Sequence, residues 1–173
     1  MPPLCQMEPD CYRAALRILR HRFNSTAELR LKLRARNFDK QTIDATLTRL
    51  TEEHWLDDER FAGSFVRTRA GKRVGPRRIA RELASVGVTD EVARKALLEN
   101  EDEERIRTDA IALCQKKMRT LVRRHGPEFI RTVEGRNKLT AYLLNQGYDR
   151  GIAYDVIRDC LERAAGGEQR AGN

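Results

Sequence analysis

Residues 55–88 read WLDDERFAGSFVRTRAGKRVGPRRIARELASVGV. Asp57 or Asp58 caps a helix that carries Phe61, Phe65 and Val66, because a short acidic side chain accepts the unpaired N–H groups of a first turn. Gly75-Pro76 stops that helix and sets Pro76 at the first position of the next, where a missing N–H costs nothing. Ile79 and Leu83 then fall on one face. Gly87 ends the second helix, Val88 packs back, and Thr89 caps a third helix running through Ala93 and Leu97 to about Asn100.

The same grammar appears on both sides. Upstream, Asp10 caps a helix over 11–22 with Ala15, Leu16 and Leu19 on one face. Ser25-Thr26-Ala27-Glu28 is a capping box opening a helix with Leu29 and Leu33, Asn37 is a left-handed stop, and Asp39 caps a helix carrying Ile43, Leu47 and Leu50 to about His54. Downstream, a helix from about Asp102 to Arg124 carries Ile106, Ile111, Cys114, Met118 and Leu121. Gly126-Pro127 interrupts it, a helix around 136–146 shows Leu139 and Leu143, and Gly147-Tyr148-Asp149 leads into a last helix with Ala153, Ile157 and Leu161. Leu33-x3-Asn37-Phe38-Asp39, Leu83-x3-Gly87-Val88-Thr89 and Leu143-x3-Gly147-Tyr148-Asp149 align at spacings of 50 and then 60 residues.

No segment alternates as a strand does. The expected fold is all-α: an elongated, curved array of three tandem three-helix repeats. The repeats are expected at 11–56, 57–101 and 102–164, between flexible tails at 1–10 and 165–173.

The 173 residues are 40% hydrophobic and 35% charged, with a formal net charge of +8. The apolar share sustains a core, and the positive balance suits a polyanion or an acidic protein surface. Cys5, Cys11, Cys114 and Cys160 form no CxxC pair and fit a reducing cytoplasm; Cys114 and Cys160 read as core residues. The first ten residues, MPPLCQMEPD, lack the basic segment and apolar core expected of a signal peptide, and no apolar run approaches membrane-spanning length. No cofactor is expected, and the chain reads as a cytoplasmic monomer.

The charge is unevenly placed. Arg60 to Arg81 contains eight basic residues and no acid, whereas residues 99–104 carry five acids. Arg67, Arg69, Lys72, Arg73, Arg77, Arg78 and Arg81 therefore form the leading candidate binding surface, with the start of the Pro76 helix offering N–H groups to an anion. With no acid inside the run, local pairing cannot neutralise it. A second basic band runs through Arg17, Arg20 and Arg22. It continues in Arg30, Arg34 and Arg36, where arginine stems that simply cover core edges are the competing explanation. The acids of Trp55–Glu59 are better read as helix caps than as metal ligands. Gly71-Lys72 and Gly75 make no phosphate loop. His21, His54 and His125 are isolated near helix ends. A helix-turn-helix reading stays open, but the third helices are not especially basic.

Trp55-Leu56-Asp57-Asp58-Glu59-Arg60-Phe61-Ala62, Phe65-Val66-Arg67, Gly75, Arg78-Ile79, Glu82-Leu83 and Gly87-Val88 resemble the RecX regulatory proteins of bacteria. Ala15-Leu16, Leu19, Ser25, Glu28-Leu29, Leu33 and Phe38 resemble that family's first repeat, and the likeness covers about residues 12–162. The resemblance implies a non-enzyme that binds RecA recombinase filaments in their helical groove. It implies inhibition of recombinase ATPase, strand exchange and coprotease activity, and so modulation of recombination and SOS DNA repair. It also implies secondary binding of single- and double-stranded DNA. The alternative is a plain helical DNA-binding module, transcriptional or architectural.

Overall fold

The computed structural model describes residues 4–170, and among them every regular element is helical. The first copy comprises α1 (Leu4–Leu19), α2 (Thr26–Arg34) and α3 (Lys40–Glu52). The second comprises α4 (Asp58–Ala70), α5 (Pro76–Ser85) and α6 (Asp90–Glu99). The third comprises α7 (Glu103–His125), a short 3-10 helix (Pro127–Arg131), α8 (Val133–Gln146) and α9 (Arg150–Arg170).

The middle helix of each copy ends in the same corner. Asn37, Gly87 and Gly147 take left-handed φ of 64°, 77° and 95°. The N–H of the following residue donates back to the carbonyl five residues earlier: Phe38 to Leu33 at 3.4 Å, Val88 to Leu83 at 3.1 Å and Tyr148 to Leu143 at 3.1 Å. That bond satisfies a carbonyl the helix would leave unpaired and turns the next side chain inward. Val88 and Tyr148 are accordingly buried. The residue after it caps the third helix: Asp39 accepts from the Thr42 N–H at 2.9 Å, Thr89 from Val92 at 3.4 Å and Asp149 from Ile152 at 3.1 Å.

Three expectations need correction. The first helix begins at Leu4, not after Asp10, and carries Pro9 inside it; the proline removes one backbone bond without stopping the helix. At the other end α9 is helical through Arg170, beyond the expected tail boundary at 165, and residues 171–173 lie outside the described residues. Between these, α8 starts at Val133 and not near 136, capped by Thr132, whose hydroxyl accepts the Gly135 N–H at 3.1 Å. Gly135 in its first turn fits a tight approach: a Cβ there would lie 2.0 Å from the Phe129 carbonyl oxygen.

The chain divides into two compact units, Met1–Val66 with Ala80–Asn100, and Arg67–Ile79 with Glu101–Asn173. The first is built on Cys11, Ala15, Ile18, Leu29, Leu33, Ile43, Leu47, Leu50 and Leu56. The core of the second includes Cys114, Met118, Leu121, Ile130, Leu139, Leu143, Tyr148, Val156, Ile157 and Cys160. Cys114 and Cys160 are the core residues their sequence context implied; the neighbouring Cys160 thiol, together with burial, pushes the Cys114 thiol up.

Each unit contains one close approach between a helix start and a corner. In the first, the Ser25 hydroxyl donates to the Val86 carbonyl at 2.5 Å, and a Cβ on Gly87 would sit 2.3 Å from the Ala27 Cβ. In the second, the Gly75 N–H donates to the Gln146 carbonyl at 2.8 Å and the Arg77 N–H to the Gly147 carbonyl at 3.1 Å. A Cβ on Gly75 would lie 2.4 Å from the Gly147 carbonyl carbon. Ser25 thus works twice, because it also accepts the Glu28 N–H at 3.1 Å. The expected reciprocal half of its capping box is replaced: the Glu28 carboxylate holds Arg22 at 2.8 and 3.1 Å.

The glycine at 75 is required by space and not by φ, so Gly75→Ala should destabilise the fold by about 2 kcal/mol or more through overpacking against rigid backbone. Gly71→Ala is the control, since its Cβ would meet the Arg67 carbonyl oxygen at an ordinary 3.4 Å; its effect should stay within about 0.5 kcal/mol in urea unfolding.

Candidate interaction surface

The acids of the 55–59 segment are committed to structure. Asp57 accepts the Arg60 N–H at 2.9 Å and caps α4, Asp58 accepts the Thr26 N–H at 2.8 Å, and Glu59 pairs with Lys95 at 2.7 Å. Among the described residues no group of three or more His, Cys, Asp or Glu side chains is placed to hold a metal ion. Trp55 is 58% exposed, while Leu56 beside it is buried. The corner at Glu53-His54, with His54 at a left-handed φ of 59°, leaves the Trp55 and Leu56 N–H groups both donating to the Leu50 carbonyl.

The basic run is divided by its environment. Arg67, Arg69, Lys72, Arg73, Arg77 and Arg78 belong to the second unit and Arg81 to the first. Arg73 Nε pairs with Asp109 at 3.0 Å, Arg77 with Asp149 at 2.9 Å, and Arg78 donates to the Gln146 side-chain oxygen at 3.3 Å. Arg69 is half-buried. The run holds no acid of its own, and folding brings acids distant in sequence to it. Arg67, Lys72 and Arg81 are exposed and have no carboxylate partner among the described residues.

In the first unit, Arg30 pairs with Asp44, and Arg36 reaches the Ala14 carbonyl at 3.5 Å. Arg34, one turn from Arg30, is exposed without such a partner. Of the ten candidates, Arg34, Arg67, Lys72 and Arg81 are thus the exposed side chains with neither a carboxylate nor a hydrogen-bonding partner among the described residues.

The partners of the engaged arginines carry no local mark in the sequence. Asp149 stands there at a helix start, and in the structure it both caps α9 and pairs with Arg77. Its carboxyl is held below the usual carboxylate range, first by the Ile152 N–H and also by the Arg77 guanidinium. The acidic block is nearby within the same unit: Glu101, Glu103 and Glu104 line a groove of about 850 Å3 together with Arg77, Arg107 and Asp149. Of the three histidines, His125 ends α7 and stacks on Phe129 with ring centres 4.3 Å apart. Among the described residues no helix is long and apolar enough to cross a membrane.

Three helical copies with a common corner, and a surface of open and internally paired cations, define a tandem three-helix repeat protein. Family models described as the RecX first and second three-helix domains match residues 11–50 and 57–97. The chain is 36% identical over 153 residues to the regulatory protein RecX of Mycolicibacterium smegmatis, covering 87% of this chain and 79% of that one. It is 34% identical over 149 residues to the regulatory protein RecX of Xanthomonas axonopodis pv. citri, covering 86% of each. The crystal structure of RecX from Lactobacillus salivarius shares the fold, with a TM-score of 0.77 at 24% identity over 91% of this chain and 98% of that one. The chain belongs to the RecX family.

Because the Asp149 carboxyl is lowered in the folded state, its contribution to stability is present above the unfolded-chain carboxylate value and is lost as pH falls through the folded one. Arg77→Glu should raise that carboxyl in an NMR titration and move acid unfolding to higher pH. The pair is surface-exposed, so the loss near neutrality should be no more than about 1 kcal/mol.

Proposed function

We propose that this protein is a non-enzymatic regulator that binds RecA recombinase filaments in their helical groove. It inhibits the recombinase ATPase, strand exchange and coprotease activity, and so modulates recombination and SOS DNA repair. The observation that carries this reading is family membership over most of the chain, with relatives named regulatory protein RecX. The open cations support it, since Arg67 and Lys72 close α4 and its following turn, are exposed without a carboxylate partner among the described residues, and are available to acidic recombinase surfaces or filament DNA. The protein acts in the cytoplasm as a monomer, with contact to single- and double-stranded DNA secondary to the filament.

A filament whose geometry this protein prefers is stabilised over its alternatives, and inhibition follows when that geometry is poorly suited to nucleotide turnover. The second reading, a plain DNA-binding module, is favoured only by the positive charge. It predicts inhibition solely where excess protein competes for bare DNA.

The test is steady-state recombinase ATPase on pre-coated single-stranded DNA. Near-stoichiometric protein should lower turnover, and the double variant Arg67→Glu, Lys72→Glu should need about tenfold more protein for the same effect, a loss of about 1.4 kcal/mol. Its circular dichroism should be unchanged. Reversing Arg77 and Arg78 instead would confound binding with folding, because both are engaged internally. Undiminished ATPase at saturating protein would reject the reading.

A further inference from the structure

The second unit carries a groove that the reading above does not use. It runs along the last turns of α7, the 3-10 helix and α9, and has a volume of about 530 Å3. Met118, Ile130 and Cys160 line it and are 7%, 5% and 4% exposed, so they form a recessed apolar floor. Four arginines line the same groove, Arg119, Arg123, Arg131 and Arg163, and no Asp or Glu does. Arg131 is 3.5 Å from Glu128, whose own side chain is 78% exposed. Arg119, Arg123 and Arg163 are exposed and have no carboxylate partner among the described residues. A cation in the last turn of a helix answers the carbonyls there, which accounts for Arg123. It does not account for Arg119, a full turn earlier, or for Arg163 on a different helix.

We propose that this groove docks an acidic protein segment that seats an apolar side chain on the floor. The two halves of the site select this occupant together. The arginine rim favours negative charge and can grip carboxylates with paired N–H donors. The floor offers a phosphate or sugar no hydrogen-bonding partner, so a nucleic acid following the rim would leave the apolar recess unfilled. A carboxylate-rich segment with one large apolar residue satisfies both, as amphipathic helices do in apolar grooves elsewhere. The volume suits one or two side chains and not a whole folded surface. The proposal stands apart from the recombinase reading, since it concerns residues outside the basic run.

The experiment uses the full chain and a fluorescein-labelled dodecapeptide of Glu and Asp with Leu-Phe at its centre, measured by fluorescence anisotropy. The same peptide with Ser-Ser at the centre, and an oligothymidylate of equal length, are the comparison probes. The Leu-Phe peptide should bind, and the Ser-Ser peptide should bind at least about tenfold more weakly, the worth of a buried apolar group. Arg119→Gln with Arg163→Gln should cost at least about tenfold through lost charge-assisted bonds. These two side chains are exposed, so the helical circular dichroism should persist. Ala164→Trp, which fills the recess while leaving every arginine in place, should cost as much. Failure of the Leu-Phe peptide to bind would overturn the proposal. So would equal binding of the two peptides, or binding indifferent to the arginine pair. Oligothymidylate bound more tightly, and lost on the same arginine substitutions, would assign the groove to nucleic acid instead.

Discussion

The backbone of Gly75 lies against the corner at Gly147, and the second unit is arranged around that approach. Two N–H groups at the start of α5, those of Gly75 and Arg77, donate to the carbonyls of Gln146 and Gly147. Helix starts and helix ends each leave backbone groups unpaired, and here one end answers the other. Each bond is worth only about 1 kcal/mol net, but burying either partner unsatisfied costs more than that. Only a residue without a Cβ lets the two backbones come so close. In the first unit the same device uses a side chain: Ser25 caps α2 and donates to the carbonyl of Val86, while Gly87 leaves room for Ala27.

The surface charge follows from this arrangement. Holding the Gly75 turn against the Gly147 corner brings Arg77 to Asp149 and Arg78 to Gln146. Arg73 meets Asp109 in the same unit, and the Tyr148 hydroxyl donates to the Arg73 carbonyl at 3.0 Å. These ion pairs are largely exposed and contribute little to stability. Their effect is to fix where the arginines point, which leaves Arg67, Lys72 and Arg81 as the run's exposed charges without a carboxylate partner among the described residues. A long basic sequence is thereby converted into a few oriented contacts and a few free ones.

Most of the fold was legible because its signals are local. Asp39, Thr89 and Asp149 announce helix starts by chemistry that needs only three following residues, and Gly87 and Gly147 announce stops by their freedom at positive φ. Repetition at a fixed position from Leu33, Leu83 and Leu143 then fixed the number of copies. The errors arose where a local signal had a distant reason. The start of α8 at Val133 is missed because the Phe129 carbonyl that excludes a Cβ at Gly135 is invisible in one dimension, and the expected tail at 1–10 overlooks a helix that continues through Pro9. The candidate surface was less legible than the fold. The arginines were found, but their partners Asp109, Asp149 and Gln146 lie far along the chain. The arginine-lined groove drew on residues spread from Arg119 to Arg163, with no run to mark it.

Amide hydrogen exchange of the intact chain at neutral pH tests the central claim most directly. The account predicts that the Gly75 and Arg77 amides, which precede or begin a helix and have no intrahelical acceptor, exchange as slowly as amides in the middle of α8. Exchange of those two amides at the rate of an open loop, with α8 still protected, would contradict it.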